Sequence, residues 1–150
     1  MKALACYGGQ LRRRQAHDDQ MLLRFVDGRP VSAVTIDFLT ACCKELAAQS
    51  ITALVLIWDN ASWHKSQIVR TWLRSHNQMV KQKGSGVRIR SCLLPSKSPW
   101  LNPIEPKWVH AKRHVVERDG LLTAKQLAQR VCSYFGCSYE THLSIPEQVA

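Results

Sequence analysis

The sequence predicts a mixed α/β domain, and three features carry that expectation. Val34, Phe38, Cys42 and Leu46 recur at the spacing of one helix face, and Leu39 and Cys43 widen the stripe. The run Ile51 to Trp58, ITALVLIW, is almost continuously apolar and β-branched, the pattern of a strand buried on both faces under helices. Strand-like and helix-like stretches continue to alternate after it, without internal repeats or low-complexity tracts.

From the amino terminus, Ala3 to Tyr7 reads as a strand with a turn at Gly8-Gly9. A polar, basic stretch follows (Arg12, Arg13, Arg14, then Asp18 and Asp19). Met21 to Val26 is a second strand closed by the turn pair Asp27-Gly28, so the two runs predict an antiparallel hairpin with a long loop. Pro30 and Ser32 introduce the first helix, and the Ile51 to Trp58 strand stops at Asp59. A second helix from Ser66 to about Lys81 has Ile68, Val69, Trp72, Leu73 and Val80 as its inner face, with Arg70, Arg74 and Lys81 on another. Lys83 to Gly86 reads as a turn and Val87 to Leu94 as a strand ended by Pro95. A third helix covers roughly Asn102 to Val116 with Ile104, Trp108 and Val115 inward. Thr123 and Gln126 have capping-box spacing for a last helix through Ala128, Val131 and Phe135. From about Thr141 the chain reads as a frayed end.

With 150 residues, 45% of them apolar, the chain has the size of one domain and enough apolar surface for a core, which excludes a disordered chain. Its net charge of +10 and pI near 9.7 favour a polyanionic partner, nucleic acid above all. An acidic protein and a membrane surface are the competing partners. No segment has the roughly 18 apolar residues needed to span a bilayer. The amino terminus also lacks the basic flank and apolar run of a signal peptide. The six cysteines include no Cys-x-x-Cys pair and read as reduced, mostly buried hydrophobes in a cytoplasmic protein. Cys132 and Cys137 with a histidine match no ordinary zinc spacing.

Between Leu46 and Val116 only two residues are acidic, Asp59 and Glu105, against eleven lysines and arginines. Acids in a basic field repel a phosphate backbone, and divalent-cation binding is a reason to keep them, because carboxylates hold Mg²⁺ and the metal bridges to substrate phosphate. Asp59 ends an apolar strand, where ligand crevices open in α/β sheets. Glu105 falls in the first turn of a helix. Each has a plainer reading: Asp59-Asn60 as a turn pair, and Asn102-Pro103-Ile104-Glu105 as a helix cap with its capping-box glutamate. Pro106, which lacks an N–H, leaves the register of that helix start open. His64, five residues after Asp59, is placed to position a water or a phosphate. Lys65, Arg70, Arg74, Lys97, Ser98, Lys107 and Lys112 are candidate contacts to a DNA backbone, against the plainer reading of solvated surface. His110 and His114 have metal-ligand spacing on one helix face, but among lysines and arginines they read as solvated or phosphate-facing. Trp63 and Trp100 flank the acids in loops, where an unpaired base can stack.

The segments LVLIWDNASWHKS and LPSKSPWLNPIEPKW resemble the second and third acidic motifs of insertion sequence 630 transposases, the bacterial relatives of the mariner group. Ser98 to Glu105 with Trp108 is the specific part, and the resemblance covers roughly Lys2 to Gly136. It implies a ribonuclease H-like, retroviral integrase-type fold, with three carboxylates holding two Mg²⁺ or Mn²⁺ ions that drive DNA strand cleavage and strand transfer. Asp59 and Glu105 would be two of the three, acting on transposon ends and target DNA, without an organic cofactor, in a cytoplasmic protein that works on chromosomal DNA as a homodimer.

In that frame residues 2–136 make a partial catalytic domain and 137–150 a carboxy-terminal tail. Ala3–Tyr7 and Met21–Val26 take the places of the second and third strands, so the first central strand with its aspartate, and the helix-turn-helix region, would lie before Met1. The expectation is a truncated domain, inactive alone in strand cleavage and marginal in folding. The alternatives are a non-catalytic DNA-binding remnant and a regulator of transposition.

Overall fold

A computed structural model describes residues 4–13, 19–116 and 122–138. These residues fall into two compact units, one formed by the described residues up to 29 and from 103 onward, the other by residues 30–102. Arg14, Asp18 and the expected frayed end from Thr141 lie outside the described residues.

In the first unit, β1 (Leu4–Leu11) and β2 (Gln20–Asp27) pair antiparallel from Leu4↔Asp27 to Leu11↔Gln20. The hairpin is as expected, but the strand does not turn at Gly8-Gly9. It runs straight through them, because another side chain needs the space. A Cβ on Gly8 would lie 2.4 Å from two ring carbons of Trp108. Here glycine allows close packing instead of a bend. Alternate residues of β2, Met21, Leu23 and Phe25, form the unit's core with Ile104, Ala128 and Cys132. α4 (Glu105–Val116) and α5 (Ala124–Phe135) pack on each other, and α5 packs on β2. Trp108 and Phe135 meet edge to face, 5.6 Å between centroids. Ile104 and Val115 are buried as expected, together with Ala111. The capping box of α5 forms in full: the Gln126 N–H donates to Thr123 Oγ1 at 3.2 Å, and the Thr123 N–H donates to Gln126 Oε1 at 2.9 Å.

In the second unit, α1 (Ser32–Ala48) buries Val34, Thr35, Phe38, Leu39, Cys42 and Leu46. β3 (Ala53–Trp58) and β4 (Arg88–Leu93) form a parallel pair from Ala53↔Arg88 to Trp58↔Leu93. Between them run α2 (Ser62–Lys65) and α3 (Gln67–Lys83), both in contact with α1. Ser66 caps α3 by accepting from the Val69 N–H at 3.3 Å, and Gly84 ends it in the left-handed region at φ 66°. The helix therefore takes in Lys83, which the sequence places in the following turn.

Two burial expectations are corrected here. β3 is not buried on both faces: Leu54, Leu56 and Trp58 turn inward, whereas Val55 and Ile57 are 60% and 52% exposed. Among the described residues one face of β3 meets a core, that of Leu39, Trp58 and Val69 with Ile36, Leu56, Trp72 and Leu73. Among the described residues β4 is its only strand partner. Ile68, assigned by its spacing to the inner face of α3, is 63% exposed, and Val69 beside it carries the packing.

Candidate metal site at the end of the third strand

The loop after β3 is held on every side. The Trp58 indole N–H donates to Ser91 Oγ at 2.9 Å, tying the last residue of β3 to β4. The Asn60 side-chain amide donates to the carbonyl of Leu94. The Leu94 N–H in turn donates to the carbonyl of Trp58 at 2.8 Å. Asp59 sits between these anchors with its side chain 51% exposed. Its Oδ1 accepts the Ala61 N–H at 3.0 Å, closing an Asx turn that leads into α2. One turn later His64 places Nδ1 2.9 Å from the same Oδ1. The plain turn reading of Asp59 and the functional one therefore coexist: the turn aims the carboxylate.

His64 is not a solvated loop histidine. Its side chain is 18% exposed and stacks on Trp58, with 4.8 Å between ring centroids and 13° between planes. Trp63 meets its edge at 6.0 Å and 78°. Nδ1 is engaged by Asp59, which leaves a direct DNA contact by that nitrogen without support. The short helix that brings His64 back has no signal in the sequence, because four residues carry no readable periodicity.

Glu105 is the first residue of α4, half-exposed, and its carboxylate has no hydrogen-bond or ion-pair partner among the described residues. The capping-box alternative is not realised, since the Asn102 N–H donates to the Pro99 carbonyl at 3.0 Å and closes the 3-10 turn Pro99–Leu101. At a helix start the carboxylate faces the positive end of the helix dipole. Asp59 belongs to the second unit and Glu105 to the first. Among the described residues no group of three or more His, Cys, Asp or Glu is arranged to hold a metal ion.

The remaining acids near the amino terminus are placed otherwise. Asp19 pairs with Arg12 at 3.2 Å and accepts from Gln10. The hydrogen bonds from Arg12 and then Gln10, with a smaller pull from the Lys107 charge, hold its carboxyl below the usual range. Asp37 lies on α1, where burial raises its pKa.

Among the basic candidates, Lys65, Arg70, Arg74, Lys81, Lys97 and Lys112 are exposed and Lys107 is half-buried. Arg70, Arg74 and Lys81 fall within about 40° of one another around α3 at 100° per residue. Lys97 has a left-handed backbone, φ 56°, and the Ser98 hydroxyl donates to the Ser96 carbonyl at 3.3 Å. Trp100 is 73% exposed, whereas Trp63 is half-buried against His64. His110 and His114 are exposed, and His114 lies 5.0 Å from the Tyr134 ring. All six cysteines are free, two buried (Cys42 and Cys132) and two exposed (Cys6 and Cys92).

Sequence reasoning missed Asn60, Ser91 and Trp58 as the frame of the site. Asn60 is adjacent to Asp59 and reads in the sequence as half of a turn pair and as part of the resembling segment, with no sign of its bond to Leu94. Ser91 and Leu94 are remote in sequence and carry no local signal.

Among the described residues no helix is long and apolar enough to cross a membrane. No curated protein matches the chain, and no solved structure does. The family described as DDE superfamily endonuclease matches residues 14–128, well over half of the chain and inclusive of Asp59, His64 and Glu105. Small sheets and five α-helices among the described residues, with a carboxylate at a strand end, are consistent with that match, and the chain belongs to the DDE superfamily endonuclease family.

Proposed function

We propose that this chain is the part of an insertion sequence 630-type, mariner-related transposase domain that carries its second and third metal-binding carboxylates, Asp59 and Glu105. The observation that carries this reading is the Asp59 carboxylate, exposed at the carboxyl end of a parallel strand and fixed by donors on one oxygen only. The donor chemistry of each residue fits a hard divalent cation: Asp59 offers a half-exposed carboxylate in one unit, and Glu105 a solvent-accessible carboxylate in the other, without a protein partner among the described residues. Asp59 and Glu105 would hold Mg²⁺ or Mn²⁺. When bound, such ions activate a water or a 3′-hydroxyl and stabilise the leaving oxygen in displacement at phosphorus. Asp59 supplies an oriented oxygen, and Asn60 and Trp58 hold the strand end that bears it. Arg70, Arg74, Lys81, Lys97 and Lys112 would neutralise the DNA backbone, and the chain would act on chromosomal DNA in the cytoplasm.

The ribonuclease H-like reading draws support from topology. A central strand removed from such a sheet leaves an antiparallel hairpin and a separate parallel pair, the two sheets found among the described residues. The hydrogen bonds from Arg88 N–H to Thr52 O and from Leu94 N–H to Trp58 O set the alternation, so Ala53, Val55 and Ile57 turn their backbone groups away from β4. That edge fits a further strand bearing the third carboxylate. Two carboxylates supply few of the roughly six oxygens each ion needs, so the 150-residue chain alone is expected not to cut DNA.

The test is Mn²⁺ binding to the purified chain, followed by titration calorimetry, with a DNA-nicking assay beside it. Weak binding that is lost in Asp59→Ala and reduced in Glu105→Ala, with no nicking, supports the reading. Nicking by the chain alone that disappears in Asp59→Ala overturns the inactivity. Salt-dependent DNA binding with no metal binding favours the non-catalytic regulator or remnant.

A further inference from the structure

We propose that His64 is a positioning residue that makes Asp59 a one-oxygen ligand, so that the carboxylate meets a divalent cation through Oδ2 alone; this rests on the reading of Asp59 as a metal ligand given above. Both protein donors to the Asp59 carboxylate converge on one atom, and His64 Nδ1 also lies 3.4 Å from the Asp59 main-chain carbonyl oxygen. Oδ1 accepts the Ala61 N–H at 3.0 Å and faces His64 Nδ1 at 2.9 Å. Oδ2 has no hydrogen-bond partner among the described residues, and the side chain is half in solvent. An ionised carboxylate only accepts, so Nδ1 carries the hydrogen and His64 is the donor.

A carboxylate turns easily about its last torsion, which has broad, two-fold minima. A backbone N–H alone leaves that rotation cheap, whereas a second donor from a different direction fixes the plane of the group. The imidazole suits that task because it is itself held. Its face lies on Trp58, its edge meets Trp63, and Trp58 is anchored to Ser91. The imidazole is 18% exposed beside a carboxylate that is 51% exposed, so the donor is packed and the acceptor is presented. Side chains that orient metal ligands in this way change metal affinity and selectivity. A carboxylate held to one oxygen suits the six-oxygen shell of Mg²⁺ or Mn²⁺, which is strictest for Mg²⁺. Ca²⁺, which readily takes both oxygens of a carboxylate, loses that option.

The experiment measures Mn²⁺ affinity of the full 150-residue chain from the electron paramagnetic resonance signal of free Mn²⁺, with Ca²⁺ as competitor and a thermal melt for each variant. His64→Asn keeps an N–H donor at the place of Nδ1, whereas His64→Gln moves it to the place of Nε2. His64→Ala and His64→Gln are expected to weaken Mn²⁺ about tenfold and to improve Ca²⁺ competition, with His64→Asn within about twofold of the parent. Unchanged affinity in Ala and Gln overturns the proposal, and so does an equal loss in Asn and Gln. If His64→Ala melts early, the Asn and Gln pair decides. Asp59→Ala separates the two levels. Lost Mn²⁺ binding there with no His64 effect sinks only the positioning role, whereas Mn²⁺ binding untouched by Asp59→Ala sinks the metal-ligand reading beneath it.

Discussion

The side-chain amide of Asn77 holds both backbone groups of Ile89: Oδ1 accepts the Ile89 N–H at 2.8 Å, and Nδ2 donates to the Ile89 carbonyl at 2.8 Å. The amide takes the place of a neighbouring strand on the edge of β4 that faces away from β3. One residue earlier on α3, His76, stacked on Trp72, donates from Nε2 to the Val87 carbonyl at 2.7 Å. Two residues of α3 thus occupy the Val87–Ile89 end of an edge that would otherwise offer free donors and acceptors to another chain. Asn77→Ala is expected to destabilise the protein by about 1–3 kcal/mol, the cost of leaving partly buried backbone groups unpaired. Denaturant unfolding measures the loss, and hydrogen exchange at the Ile89 amide should accelerate more than at Arg90.

Gly8 and Trp108 occupy one space. With a Cβ at Gly8 2.4 Å from the Trp108 ring and 3.0 Å from Leu23 Cδ2, Gly8→Ala forces the indole to move. The expected cost is about 1–3 kcal/mol, as for other overpacked cores. Trp108→Leu opens room beside Gly8, so the double variant should lose less than the sum of the single losses. Additive losses in a double-mutant cycle would show that the ring and the strand do not press on each other.

The face of Arg70, Arg74 and Lys81 sets a salt-dependence prediction. Changing all three to glutamine should lower the slope of log affinity against log salt for duplex DNA by up to about 2.7, at roughly 0.9 for each phosphate no longer neutralised. Helical content by circular dichroism should stay the same, because all three side chains are exposed. An unchanged slope means that the face meets water and not DNA.

Cys43 reports on the packing of α1 against α3. Burial pushes its thiol up to about 11 from an ordinary 9.0, and its Sγ lies 3.8 Å from His76 Nε2. At pH 8 its thiolate fraction is then on the order of one in a thousand. Alkylation at pH 8 should therefore mark exposed Cys92 well before Cys43, as read by peptide mapping. The linkage has a definite sign. The unfolded chain releases this proton at the ordinary value and the folded chain holds it longer, so rising pH between about 9 and 11 favours unfolding. Cys43→Ser should flatten the loss of melting temperature over that window.

Much of the chain's organisation is legible from its residues. The stripe of α1, the strand ending at Asp59, the capping box at Thr123 and the Asn102-to-Trp108 segment are written in local periodicity and short-range chemistry, which neighbours in sequence suffice to express. The two acids stand out for a similar reason, as the only negative charges between Leu46 and Val116. What stays hidden depends on residues that meet only after folding. Gly8-Gly9 has the same letters whether glycine bends a chain or yields room to an indole, and Trp108 decides for room. The apolar letters of Val55 and Ile57 look buried, yet exposure depends on how many layers cover β3, and one face is covered. The frame of Asp59 joins Trp58 to Ser91, Asn60 to Leu94 and His64 to Trp58, two of these links spanning more than thirty residues. The sequence by itself determined which residues carry the charge, the hydrogen bonds and the apolar surface. Only the tertiary structure decided which oxygen of Asp59 is taken and which is left open, because directional bonds depend on positions in space that separation along a chain does not encode.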